Sequence, residues 1–81
     1  MRRRLPRLSG CEVVELLVRK FSFTVRRQRG SHVVLVKHVD DRKIVTVVPL
    51  RPELKLGTLL GVLELAGIAR EDFLRAYEEY C

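Results

Sequence analysis

The chain holds only two cysteines, Cys11 and Cys81. They are too few for a disulfide framework, and no CxxC pair or Cys/His spacing suits a zinc site. Cys11 falls inside a helical pattern and reads as a small packed side chain. Long apolar runs are also missing, for no segment approaches the roughly 18 apolar residues of a membrane-spanning helix. Leu8-Ser9-Gly10-Cys11, following Arg2-Arg3-Arg4, has the form of a lipoprotein cleavage box. Pro6 and Arg7 break the apolar stretch of about 7–15 residues that such a signal requires, so neither lipidation nor membrane insertion is expected, and the expected location is the cytoplasm. The sequence has no Walker loop, GxGxxG, metal triad, nucleophile elbow or internal repeat. No cofactor and no metal are expected. Histidine is scarce as well, with only His32 and His38.

What is present is an ordinary globular composition, 47% hydrophobic and 32% charged over 81 residues. That predicts one domain over residues 1–81, with residues 1–8 as a basic, mobile arm. A chain this short buries only about 60–65% of its unfolded surface, which leaves no room for a deep cofactor pocket. The net charge of +6 is uneven: residues 1–31 carry nine Arg or Lys against two Glu, whereas residues 58–81 carry two against five acids. A basic N-terminal part suggests a polyanionic partner, and a solvated basic surface would look the same.

Ser9 with Glu12 three residues later has the capping-box spacing, and Val13, Leu16, Leu17 and Lys20–Phe21 form the stripe of an amphipathic helix. Phe21, Phe23 and Val25 then alternate with polar residues in a strand running to Arg29. Gly30-Ser31 is a two-residue hairpin loop, His32 to Val39 a second strand and Lys43 to Val48 a third. A helix opening at Gly57-Thr58 puts Leu59, Leu60, Leu63 and Ala66 on the core and stops at Gly67. A last helix begins near Glu71 and Asp72, with Phe73, Ala76, Tyr77 and Tyr80 on one side. The predicted fold is α+β, two layers in the order α-β-β-β-α-α, with a three-stranded antiparallel sheet covered by helices on one face.

A two-residue loop pairs Arg29 with His32, Arg27 with Val34, Val25 with Val36 and Phe23 with His38. Without a bulge, Phe23, Val25, Val34 and Val36 share the core face, joined by Val45 and Val47. His32, Arg27 and Arg29 then sit at its rim, and Arg51 arrives near His32. Val33, Leu35, Ile44, Thr46 and Val48 fall on the outer face with Thr24, Arg26, Gln28 and Lys37, an apolar patch that reads as a protein contact.

His32 beside several arginines is the one site-like constellation. It can serve as a general acid or base while Arg27, Arg29 and Arg51 hold a phosphate, and backbone N–H groups of the Gly30-Ser31 turn can also meet an anion. An inert strand-end histidine would have the same sequence. His38, about 20 Å along the strand at roughly 3.3 Å per residue, is too far away to pair with it. Lys55 adds a cation in the linker after the third strand.

Arg27-Gln28-Arg29-Gly30-Ser31-His32, Val47-Val48-Pro49, Leu54-Lys55-Leu56-Gly57-Thr58-Leu59 and Ala66-Gly67-Ile68, in this order and spacing, resemble the HicA toxin family of small mRNA interferases. Leu5-Pro6-Arg7-Leu8-Ser9-Gly10 and Ser22-Phe23 also fit, so the resemblance covers nearly the whole chain. It implies a double-stranded-RNA-binding-domain-like fold, metal-independent cleavage of RNA with one essential histidine, and neutralisation by a HicB-type antitoxin. The family's catalytic histidine falls on His32. Two positions depart from the pattern. Val33 stands where many members have a second histidine, and Pro49-Leu50-Arg51 stands where many have Pro-x-His. The second departure removes an acid/base group and keeps a cation. The reading is therefore a toxin endoribonuclease with His32 as catalyst and Arg27, Arg29, Gly30, Ser31, Arg51 and Lys55 on the RNA. A non-catalytic RNA-binding module is the alternative, and a purely structural interaction domain a third.

Overall fold

The structure, a computed structural model, describes residues 5–80; Arg2, Arg3 and Arg4 of the expected arm and Cys81 lie outside the described residues. The elements are α1 (Gly10–Phe21), β1 (Thr24–Arg29), β2 (His32–Val39), β3 (Arg42–Pro49), α2 (Leu56–Ala66) and α3 (Arg70–Tyr80), with antiparallel strands in the order β1-β2-β3. This is the expected α+β arrangement. None of the described helices is long and apolar enough to cross a membrane.

Helix α1 starts where the capping box places it. The Glu12 amide donates to Ser9 Oγ at 3.1 Å and the Ser9 amide to Glu12 Oε1 at 2.9 Å, so two otherwise orphaned donors are satisfied. Val13, Leu16 and Leu17 form its buried stripe, each worth about 1.5–3 kcal/mol when removed from water. Cys11, expected to pack, is exposed, because it lies on the opposite side of that stripe. The helix continues through Phe21 and ends at Ser22, which adopts φ +63°, so β1 begins at Thr24, later than its alternation suggests.

Gly10 fixes how α1 meets the sheet. A Cβ there would collide with the Pro49 carbonyl oxygen and lie 2.8 Å from Leu50 Cα, while the Gly10 amide donates to the Arg51 carbonyl at 2.9 Å. Only a residue without a side chain permits that approach. Gly10→Ala is expected to separate α1 from the end of β3 and to cost about 1–3 kcal/mol or more, seen as a lowered midpoint in urea. An unchanged midpoint would show that the contact yields freely. Leu5 to Leu8, placed in the arm by the sequence, lie against the same region. Leu8 is buried, and its carbonyl accepts the Leu54 amide at 2.8 Å.

The face assignment of the sheet is the main correction. Arg29↔His32, Gln28↔Val33 and Arg27↔Val34 pair as expected, but Val25 meets Leu35 and Thr24 meets Val36. Arg26 is the extra residue of a β-bulge, and one extra residue reverses every face assignment beyond it. Phe23 therefore shares its face with Val33, Leu35, Thr46 and Val48. These, not Val34, Val36, Val45 and Val47, lie under the helices. Lys37, expected on the outer face, moves with Val33 and Leu35 to the covered side, where its Nζ lies over the Phe23 ring, 5.7 Å from the centroid, within reach of a cation–π contact. Thr46 is buried and satisfied, its Oγ1 donating to the Val62 carbonyl at 2.9 Å, which ties β3 to α2. The uncovered face carries Val36 buried at 6% exposure, Val34 and Val47 half-buried and Val45 38% exposed.

Leu59, Val62, Leu63 and Ala66 pack from α2, and Gly67 caps it with φ +70°. Leu60, assigned to the core from its spacing, is 36% exposed. Phe73, Leu74 and Ala76 pack from α3, and the Phe73 ring stacks on Phe21 at 6.3 Å between centroids, joining the ends of α1 and α3. Tyr80 is 40% exposed.

Candidate functional site

The β1–β2 hairpin closes over Gly30-Ser31, with Gly30 at φ +58°, a conformation costly for any residue with a Cβ. Gln28 Nε2 donates to the Gly30 carbonyl at 3.1 Å. The Leu50 amide donates to the Ser31 carbonyl at 2.6 Å, so the turn is tied to the end of β3 as well as to β1.

His32 is the first residue of β2. It lies opposite Arg29 on one side and Pro49 on the other, and its side chain is exposed. Paired residues share a face, so His32 and Arg29 project together from the uncovered side. Val34 and its partner Arg27 follow on the same side, with Arg27 diagonal to His32 at about 7–8 Å. Regular alternation would put these residues at the rim of the core face; the bulge puts them on the open face. There a substrate can lie across the sheet.

The remaining site residues are less closely grouped. Arg51 follows Pro49 by two residues, its carbonyl held by Gly10 and its side chain exposed. Lys55 is the N-cap of α2, exposed and without a side-chain cap bond, and so belongs to the helix layer. His38 is on the same face as His32 but pairs with Lys43 at the far end of β2. Among the described residues no three His, Cys, Asp or Glu side chains gather as metal ligands.

Two further cations lie on the open face, Arg26, expected on the outer face, and Lys43. A shallow groove of about 230 Å³ is lined by Arg26, Arg27, Val34, Val36, Lys43 and Val45. Nothing in the sequence marks the bulge that sets Arg27 beside Arg26 on this side. Lys43 was legible, since a two-residue Asp40-Asp41 loop sets it opposite His38. Ion pairs join Arg7 to Glu53, Arg19 to Glu15 and Arg75 to Asp72, and among the described residues none engages Arg26, Arg27, Arg29 or Lys43.

A protein-family model described as HicA toxin of bacterial toxin-antitoxin matches residues 10–68, which span α1, the whole sheet and α2. No curated protein and no solved structure gives a significant match.

Proposed function

Because the chain belongs to the HicA toxin family of bacterial toxin–antitoxin systems, we propose that it is an endoribonuclease that cleaves mRNA by histidine-dependent, metal-independent chemistry. The observation that carries this reading is the pairing of His32 with Arg29 on the open face, next to Arg27 and beside a tight turn. Neutral His32 accepts the proton of a ribose 2′-OH as that oxygen attacks the adjacent phosphorus. The bond to the 5′ oxygen breaks, leaving a 2′,3′-cyclic phosphate, and the proton held by His32 or one from water completes the 5′-OH. Arg29 and Arg27 stabilise the charge that builds on the phosphoryl oxygens. The Gly30 and Ser31 amides supply further donors for an anion, while Arg51 and Lys55 contact flanking phosphates.

A positioned general base is worth about 10²–10⁴-fold, enough for a slow enzyme to act as a toxin. Labelled single-stranded RNA incubated with the protein in chelator should yield fragments ending in a cyclic phosphate. The second reading, a non-catalytic RNA-binding module, is favoured by one observation, Arg51 in place of a second histidine beyond Pro49. Binding without cleavage in the same assay would select it.

The partner follows from the same surface. As the toxin of such a pair the chain has an antitoxin, and we assign it to the HicB type. The contact expected over Val33 and Leu35 cannot form, because both side chains lie under the helices. The open face carrying His32 is the surface an inhibitor must reach.

A further inference from the structure

On a regular strand, consecutive side chains point to opposite faces. Arg26 and Arg27 do not: both line the groove over Val34, Val36 and Val45. The bulge between Val25 and Arg27 re-aims one of them. Lys43 lines the groove from β3, two strand spacings across and four residues further along β2, opposite His38 where Arg27 is opposite Val34, roughly 16 Å away between backbones. None of the six lining residues is acidic, and neither arginine nor Lys43 has an ion pair among the described residues. Gathering like charges without counter-charge is unfavourable for the isolated domain, so the arrangement suits an anionic ligand.

We propose that this groove is a second phosphate subsite, separate from His32, in which Arg26 and Lys43 grip the backbone of the RNA strand beyond the scissile bond. The inference rests on the ribonuclease reading and adds a substrate track to it. Continuity favours RNA over an acidic protein segment. Val34 and Val36 continue the row that His32 begins, so the groove opens about 7–13 Å from His32 at roughly 3.3 Å per residue. A strand with one phosphate at His32 runs straight into it. An acidic segment adding as a β-strand would need the unpaired edges of β1 or β3, not the face. The lining contains no aromatic ring and no amide or hydroxyl side chain, so bases find neither stacking nor hydrogen-bond readout there. The subsite therefore holds phosphate and ribose without reading sequence.

The test is Arg26→Gln with Lys43→Gln, two exposed positions outside the catalytic group, against RNA of graded length. Cleavage of a dinucleotide that spans only the scissile bond should be unchanged, while KM for a long single strand rises about five- to tenfold. In a His32→Ala background, where binding is read without turnover, the log–log salt slope should fall by about 0.7 for each phosphate no longer neutralised. An unaltered length dependence and salt slope would overturn the subsite even if His32 proves catalytic. A reduced slope with no cleavage by the wild-type chain would uphold the groove and remove the nuclease reading. Weaker antitoxin binding with unchanged RNA affinity would give the groove to the protein partner and refute the proposal.

Discussion

His32→Ala is expected to reduce RNA cleavage by at least about 10²-fold and to abolish growth toxicity, with no loss of stability. The side chain is exposed at the start of β2, so truncation opens no cavity in the core. What remains is the binding surface, Arg27 and Arg29 included. The mutant should still retain RNA in a filter assay with a salt dependence close to that of the parent. Thermal unfolding and cleavage measured on one preparation separate the cases. A mutant that unfolds at the parental temperature and cuts at the parental rate would exclude His32 as the base, and the RNA-binding module would then be the better reading.

The second large effect is on folding. Val33→Lys with Leu35→Glu would be a harmless surface change if both residues lay on the outer face, as unbroken alternation predicts. In the structure Val33 is 4% exposed and Leu35 fully buried among α1, α2 and β3 residues of the core. Two charges placed there lose their hydration, and an unpaired buried charge costs several kcal/mol. A domain of this size has a total stability of about 4–12 kcal/mol, so the double mutant is expected to be unfolded and to bind nothing. The matched control is Val34→Lys with Val47→Glu on the open face, which should keep a cooperative thermal transition. A folded Val33/Leu35 mutant would mean that the sheet turns its other face to the helices.

This pair of outcomes shows where the sequence was readable. The capping box, the Gly30-Ser31 turn, the Arg29–His32 pairing and the stop at Gly67 each depend on two or three neighbouring residues, and each stands in the structure. The choice of core face depended on counting by twos from Phe23 across Arg26. Both candidate faces of β2 and β3 are rich in valine, so composition did not contradict the miscount. The polar residues held a clue: Arg27, Arg29, His32, His38 and Lys43 all belong to one face, which is difficult to bury. Cys11 is a different case: the periodicity that names Val13, Leu16 and Leu17 as the buried stripe also puts Cys11 on the opposite side, so its exposure was legible. The juxtaposition of Arg26 with Arg27 had no sequence signal, because a bulge in a run of charged residues leaves the alternation pattern intact.

The bond from the Leu50 amide to the Ser31 carbonyl has a consequence for the motion of the site. Hairpin tips usually fray quickly, and their amides exchange with solvent almost freely. Here the donor sits where β3 ends, beside the residues packed against Gly10, so the turn before His32 can lift away only by giving up this bond. The deuterium uptake of a single amide, Leu50, should therefore time the opening of the turn. Slow uptake would mean that His32 is held by the stability of the core, and that its geometry loosens only when α1 parts from the sheet.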